Sequence, residues 1–352
     1  MIERIIIENF KSIRKLDLAL RPINILIGAN GAGKSNFISF FELINRVYEG
    51  TLQEYSVKKG ANNLLYRGIK HSESIRGLLD FENRKVYKFE LSARNDQSLW
   101  VSKFGFGLNP SEDLNKNYED WEQISESQWL DELHGVAVDY LKDLRIYHFH
   151  DTSDTSPIKQ IGPLDDNQYL RKDAGNLAAF LYMLQEKFPS NFRRIEMVIR
   201  SIAPFFERFD LKPRQLNSSQ IKLEWKEYES DMYLDAYNLS DGSLRFIAFA
   251  TLLLQPNPPK TIIIDEPELG LHPFAVQKLA ALLQKASATS QIIVSTQSVE
   301  FVNQFDAEDV ITVDRADGQS VFHRLEEENL QHWLGSFALG DIWQKNVIGG
   351  QP

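Results

Sequence analysis

The chain has 352 residues, a formal net charge of −10 and no cysteine, with 43% hydrophobic and 25% charged residues. That length allows one large α/β domain or two smaller ones, and the missing thiols exclude disulfides and thiolate chemistry. The acidic balance argues against a protein that coats nucleic acid indiscriminately; a local basic face, or DNA contact shared with a partner, stays open. No apolar run approaches the ~20 residues that span a bilayer, and Met1-Ile2-Glu3-Arg4 leads into a strand with no secretory signal. A cytoplasmic protein without a membrane segment is expected.

Residues 2 to 20 alternate as a strand pair, a hairpin with Ile2, Ile5 and Ile7, then Phe10 and Ile13, then Leu16, Leu18 and Leu20 at its apolar positions. Ile23 to Ile27 reads as a buried parallel strand. It runs into Gly28-Ala29-Asn30-Gly31-Ala32-Gly33-Lys34-Ser35, which fits G-x-x-x-x-G-K-[ST] in full. Phe37, Phe40, Phe41, Ile44, Val47 and Tyr48 follow at helical spacing, with Gly50 as the stop. Strand, glycine loop and helix together are the context of a phosphate-binding loop. Its glycines let successive backbone N–H groups face a polyphosphate, and the helix N-terminus adds a positive dipole end. A nucleoside triphosphate is therefore expected against Asn30, Gly31, Ala32, Gly33, Lys34, Ser35 and Asn36. Lys34 would reach the β- and γ-phosphates and Ser35 would ligate Mg²⁺.

Residues 51 to 144 read as an antiparallel β-rich insertion. Its strands are marked by Leu78, Leu79 and Phe81, by Val86, Tyr87, Phe89 and Leu91, and by Leu99, Trp100 and Val101. Polar turns are expected at Glu82-Asn83-Arg84 and Arg94-Asn95-Asp96-Gln97. Asn109 to Glu132 is acidic, with Trp121 and Trp129 as isolated anchors on a long surface loop. A strand resumes at Arg145 to Phe149. Two helices follow, one carrying Leu177, Phe180, Leu181 and Leu184, the next Phe192, Ile195, Ile199 and Ile202. Ile221 to Trp225 and Met232 to Leu239 read as a strand pair. Then come a helix over Leu244 to Leu254, a buried strand over Thr261 to Ile264, a helix over Pro273 to Ala286 and a strand over Gln291 to Ser295. Val310 to Val313 and Val321 to Leu325 close the sheet. No internal repeat, low-complexity tract or sustained heptad run is present.

Two further stretches carry chemistry. Ile262-Ile263-Ile264-Asp265-Glu266 is a buried strand ending in two acids, where Asp265 would hold Mg²⁺ together with Ser35 and Glu266 would polarise the attacking water. Leu239-Ser240-Asp241-Gly242-Ser243 opens a helix. Ser240 is a good N-cap, and Gly242 would let an anion approach the first N–H groups.

That order resembles the ABC-type ATPase head, specifically its SMC/RecF-like branch, close to the group related to the overcoming-lysogenization-defect ATPases. The resemblance also rests on Ile7-Glu8-Asn9-Phe10-Lys11-Ser12, on Asp265-Glu266-Pro267-Glu268-Leu269-Gly270-Leu271-His272-Pro273, and on Gly175-Asn176-Leu177-Ala178-Ala179-Phe180-Leu181. The tail, Leu339-Gly340-Asp341-Ile342-Trp343 to Gly349-Gly350, is similar to the ending of a subgroup of stand-alone ATPases. Most of the chain is covered, except roughly residues 51 to 130.

The resemblance implies a P-loop NTPase fold of ABC-head type over 1–352, a mixed β-sheet flanked by helices with a helical second lobe. The nucleotide-binding lobe would comprise 1–50 and 255–352, and the second lobe 145–254. It implies ATP and Mg²⁺ as ligands and Lys11 as a further nucleotide contact. Ser240, Gly242 and Ser243 would bind the γ-phosphate held by a second copy, so that a homodimer closes on ATP. Gln297 stands where many ABC heads have His; an amide cannot carry a proton, which points to slow turnover. Asp241 stands where many members have Gly. The Q-loop position is open between His150, Asp151 and Gln160.

His148 and His150 share a strand face, the geometry of metal ligands or of satisfied or phosphate-sensing histidines. Arg193, Arg194, Arg200, Arg208, Lys212 and Arg214 make the second lobe locally basic, either as a solvated face or as a DNA or partner surface. The functional expectation is an ATPase acting as a dimerisation switch in DNA maintenance or anti-phage defence, with any nuclease activity in a partner protein. The alternatives are an ATP-binding scaffold that barely hydrolyses and the nucleotide-binding subunit of a transporter. A small-molecule kinase or GTPase is disfavoured, because no N-K-x-D guanine clamp is present and a lone P-loop leaves the capped serine-glycine helix unexplained.

Overall fold

The computed structural model describes residues 1–82, 85–108 and 141–350. In chain order its strands and helices begin with β1 (Ile2–Phe10), β2 (Ile13–Ala19), β3 (Ile23–Ile27), α1 (Lys34–Tyr48), α2 (Leu52–Lys59) and α3 (Ala61–Leu64). Next are β4 (Ser74–Phe81), β5 (Lys85–Ala93), β6 (Leu99–Leu108), β7 (Leu144–Tyr147), β8 (Gly162–Pro163), α4 (Leu177–Lys187) and α5 (Pro189–Ile202). Then come β9 (Phe206–Phe209), β10 (Gln220–Ile221), β11 (Glu224–Glu227), β12 (Leu234–Asp235), α6 (Asp241–Leu254), β13 (Thr261–Asp265) and α7 (Pro273–Ala286). The order ends with β14 (Gln291–Thr296), α8 (Val299–Val302), β15 (Val310–Ala316), β16 (Gln319–Arg324), α9 (Glu327–Leu334) and α10 (Leu339–Gln344). Two compact units result: Met1–Leu144 with Lys260–Ile263 and Gln291–Pro352, and Arg145–Pro259 with Ile264–Ser290.

The first unit holds a five-stranded antiparallel sheet in the order β2-β1-β4-β5-β6. Its register places Ile5 opposite Leu18 on one side and Leu79 on the other. The antiparallel strands expected within 51–144 are present as β4 to β6, and they pair onto β1. The β1–β2 hairpin is not self-sufficient, and β4 to β6 complete the sheet that the first twenty residues start. The second sheet runs β16-β15-β3-β14-β13-β7, with β13 and β7 contributing Thr261–Ile263 and Leu144 to this unit. Parallel pairing of β3 with β14 and β15 buries every residue of β3, which is why that strand reads as a continuous apolar run.

Helix α1 fills the space between these sheets. Phe40 stacks near Phe89 and meets Phe10 edge-on, while Phe37 lies 5.5 Å from Phe322 of β16. Burying a Phe side chain of this kind contributes about 1.5–3 kcal/mol. At the far end of the strands, Gln291 exchanges hydrogen bonds with the Ile2 backbone, accepting from its N–H at 3.1 Å and donating to its carbonyl at 2.7 Å. Helices α2, α3 and α9 were not expected. They are short, and the first two begin or end at Gly60, whose turn hides their period.

In the second unit α6 is buried at nearly every position from Leu244 to Leu254. Such an all-round apolar helix belongs in an interior, and α5 and α7 both contact it. Strands β9, β11 and β12 form a small sheet, β12-β11-β9, with Trp225 stacked on Phe206. The expected strand over Met232 to Leu239 is shorter, because Ala236–Asn238 turn as a 3-10 helix capped by Asp235. The second unit also takes Ile264–Ser290, which the expected lobe boundaries assigned elsewhere. The acidic stretch Asn109 to Glu132 with Trp121 and Trp129, and the turn residues Asn83 and Arg84, lie outside the described residues. Among the described residues no helix is long and apolar enough to cross a membrane.

Candidate functional site

The glycine loop bridges β3 and α1 in the first unit. Lys34 is buried, and its Nζ donates to the carbonyls of Gly28 at 2.5 Å and Ala29 at 3.2 Å. The N-cap of α1 is Gly33, which offers no capping side chain, and no acid sits in the helix's first turn. Asn30, Gly31 and Ser35 are exposed, and a Cβ at Gly31 would find nothing within 4 Å. A buried ammonium, an uncapped helix start and an open glycine face fit a polyphosphate.

A bracket of hydroxyls that the sequence reading missed holds the loop from below. Asn36 Nδ2 donates to Ser12 Oγ at 2.7 Å, Ser12 and Ser320 share a hydrogen bond at 2.7 Å, and Ser320 Oγ donates to the Ala32 carbonyl at 2.5 Å. The direction follows from the ends of the chain: the amide can only donate and the carbonyl only accept, so Ser12 donates to Ser320. Gly33, at φ +129°, is where a Cβ would run onto Ser320 Oγ. The only sequence hint was Ser12, which closes the Asn9-to-Ser12 run; nothing marked Ser320.

Lys11, the other predicted contact in this unit, donates to Ser39 Oγ at 2.7 Å. Burial lowers the pKa of its ammonium, aided by Lys59 and opposed by Glu42. Thr296 of β14 is level with Ile27 of β3, so Gln297 and Gly28 leave adjacent parallel strands at the same height. The unit thus brings together the loop, Lys11 and Gln297. The tail adds an element with no expected role. Gly350 N–H donates to both carboxylate oxygens of Asp314, at 2.8 and 2.9 Å, its carbonyl accepts from Trp343 Nε1, and a Cβ on it would lie 3.5 Å from Gly28 Cα.

The second unit brings together Asp265, Glu266, Ser240, Gly242 and Ser243. Asp265 ends a strand buried through Ile264, and both acids are half-buried. Glu266 has φ +42°, a left-handed backbone that costs a non-glycine residue about 1–3 kcal/mol and aims the side chain differently from a regular strand end. Ser240 caps α6 as expected, its Oγ accepting from Ser243 N–H at 3.1 Å. Gly242 also has a packing use. The space a Cβ would take is filled by the Gly270 carbonyl, so this glycine admits the loop after β13. Arg245, also unforeseen, pins that loop: it donates to the carbonyls of Leu269 and His150, both at 2.7 Å.

Two of the Q-loop candidates, Asp151 and Gln160, are engaged locally. Asp151 accepts from Ser153 Oγ at 2.7 Å and from its N–H at 3.1 Å, which holds its carboxyl below the usual range. Gln160 donates to Tyr237 Oη and the Asp154 carbonyl. His148 and His150 lie with ring centroids 6.3 Å apart, and among the described residues no group of three His, Cys, Asp or Glu could hold a metal. Three of the six basic residues pair with acids: Arg208 with Glu207, Lys212 with Asp210, and Arg200 with Glu196. Pairing of this kind favours the solvated-face reading over a cationic surface.

A family model described as "AAA domain, putative AbiEii toxin, Type IV TA system" matches residues 23–303. A putative ABC transporter ATP-binding protein of Mycoplasma genitalium is 26% identical over 164 residues, covering 42% of this chain and 45% of that protein. An OLD nuclease of Thermus scotoductus is 22% identical over 374 aligned positions, covering 100% of this chain and 68% of the nuclease. The chain thus spans less than half of the first relative. Among solved structures, an Smc head bound to the C-winged helix domain of ScpA superposes with a TM-score of 0.64 at 20% identity, covering 93% of this chain and 99% of that one. An Smc head with an extended coiled coil, bound to the C-terminal domain of ScpA from Pyrococcus furiosus, gives 0.62 at 16%, covering 95% and 98%. These likenesses establish the fold, a P-loop ATPase head.

Proposed function

The chain belongs to this AAA-domain family, an ABC/SMC-like ATPase, and from that premise we propose that it is an ATP-driven dimerisation switch in the cytoplasm. The observation that carries the proposal is the turn that opens α6. Ser240 and Asp241 are exposed while the helix behind them is buried, so the turn faces outward, where a second copy can reach it. Asn30 to Asn36 and Lys11 would hold ATP, with Ser240, Gly242 and Ser243 of one copy closing on the nucleotide of the other. Ser35 and Asp265 would hold Mg²⁺, which when bound offsets the charge of the β- and γ-phosphates. Lys34 fixes the phosphates, and Glu266 takes the proton of the attacking water at its carboxylate.

The relationship to an OLD nuclease supports a setting in DNA maintenance or defence against foreign DNA, with cleavage supplied by a partner protein. Gln297 favours a second reading, slow turnover or an ATP-binding scaffold. It stands level with Gly28 and carries no titratable proton. The test is Glu266→Gln. Turnover should fall by roughly 10²–10⁴, and the variant should accumulate as a dimer with ATP and Mg²⁺ and revert with ADP. Normal hydrolysis in Glu266→Gln overturns the mechanism.

A further inference from the structure

Asp241 poses a charge problem. A helix N-terminus is worth about half a positive charge, so one unpaired carboxylate in its first turn reverses the sign that an incoming phosphate meets. The carboxylate also stabilises its own helix, so it explains itself as a helix residue but not as part of a phosphate receptor. Lys159 resolves the conflict. It ends a 3-10 turn over Pro157–Lys159, with its side chain only 7% exposed, and its Nζ lies 3.5 Å from Asp241 Oδ1 and 3.7 Å from Asp154 Oδ1. Tyr237 lies beside the ammonium, 5.9 Å from ring centroid to Nζ. Gln160 donates to Tyr237 Oη at 2.9 Å and to the Asp154 carbonyl at 2.8 Å, which fixes the turn that carries Lys159.

The exposures decide which charges count. The Asp154 side chain is 90% exposed and Asp241 60%, so water and salt screen both carboxylates, whereas the Lys159 side chain is almost wholly covered by protein. Both ion-pair distances exceed the roughly 2.7–2.9 Å of a close charge-assisted hydrogen bond. The ammonium is therefore held in place by burial and not locked to either acid. We propose that Lys159 is the counter-charge that lets an acid-bearing signature turn receive the γ-phosphate of a second copy's nucleotide. It is a positioning residue, acting through Asp241, and the proposal rests on the dimerisation reading above.

The test is a cycle of Lys159→Met, Asp241→Asn and the double variant. ATP turnover is followed against protein concentration, and ATP affinity by fluorescence titration. Methionine keeps the buried stem and removes the charge. Lys159→Met should lose about tenfold or more in turnover, with a matching rise in the protein concentration needed for half-maximal rate and no comparable loss of ATP affinity. The double variant should recover to within roughly threefold of Asp241→Asn, because the charge that needed cancelling is gone. Turnover at the wild-type level in Lys159→Met, or a double variant as slow as Lys159→Met, overturns the proposal; the second result marks a structural role. Ser240→Arg separates the two readings. If it abolishes turnover while Lys159→Met does not, only the counter-charge falls. If it turns over normally, the signature does not act in trans and both readings fall.

Discussion

Replacing Gly33 with alanine asks whether β16 holds the phosphate loop in shape. The backbone at Gly33, φ +129° and ψ 5°, costs an L side chain about 1–3 kcal/mol. The added Cβ is also aimed at Ser320 Oγ and lies 2.7 Å from Ser320 Cβ and 3.2 Å from Ser12 Oγ. Ser320 is 2% exposed and cannot swing into water, so it must give up its bond to the Ala32 carbonyl, worth about 0.5–1.5 kcal/mol. Together these predict about 2–4 kcal/mol of lost stability in urea unfolding and ATP binding weaker by roughly tenfold or more. The diagnostic is Gly33→Ala with Ser320→Gly. The second change removes both the hydroxyl and the Cβ that clash most closely, leaving backbone strain and the 3.2 Å approach to Ser12 Oγ. The double variant should therefore be more stable than the sum of the singles by about 1 kcal/mol. Strictly additive losses, or wild-type ATP affinity in Gly33→Ala, would refute the reasoning.

Two further substitutions test the packing around the site. Tyr87 is fully buried in the antiparallel sheet with its hydroxyl unpartnered among the described residues, and burial drives its pKa far upward. Tyr87→Phe should be neutral or stabilising by about 1 kcal/mol in urea unfolding, and a loss of 2 kcal/mol or more would show a hidden partner. Glu196 accepts from Phe209 N–H at 2.9 Å, yet burial, its largest influence, raises its carboxyl above the ordinary glutamate range. A raised folded pKa gives stability that is complete below the unfolded value and is lost as pH rises through the folded one. Glu196→Gln should therefore gain thermal stability relative to wild type as pH rises from acid to neutral; a gain in the opposite direction would count against a burial-dominated shift.

The legible parts of this chain were those where one physical period dominates. The strand Ile23 to Ile27, the loop through Ser35 and the helix after it follow from apolar runs and a glycine spacing, and each appears within a residue or two of its expected bounds. Partnerships across the chain were not legible. Nothing local says that the hairpin of Ile2 to Ala19 needs β4, because a strand's outer edge looks the same whether it meets water or another strand. Ser320 sits 288 residues from Ala32, and its single hydroxyl carries no periodic signal. Arg245 and Lys159 were equally invisible, since a cation on a polar stretch reads as solvated until its partners are placed.

The glycines of the two motifs meet quite different surroundings. Gly31, Gly33 and Gly242 were all read as giving an anion access to backbone N–H groups. Gly31 has open space where a side chain would go, so it alone is free for a ligand. Gly33 is bare because Ser320 supports the loop from β16, and Gly242 because the Gly270 carbonyl sits against α6. At the second and third positions neighbouring protein atoms thus exclude a side chain. In the proposed receptor the α6 turn offers Ser240, Gly242, Ser243 and the N–H groups of the first helical turn, and the sign of the local charge decides what they attract. With Asp241 in that turn the sign depends on a neighbouring cation, and Lys159, its side chain 7% exposed, brings its ammonium to 3.5 Å from the carboxylate.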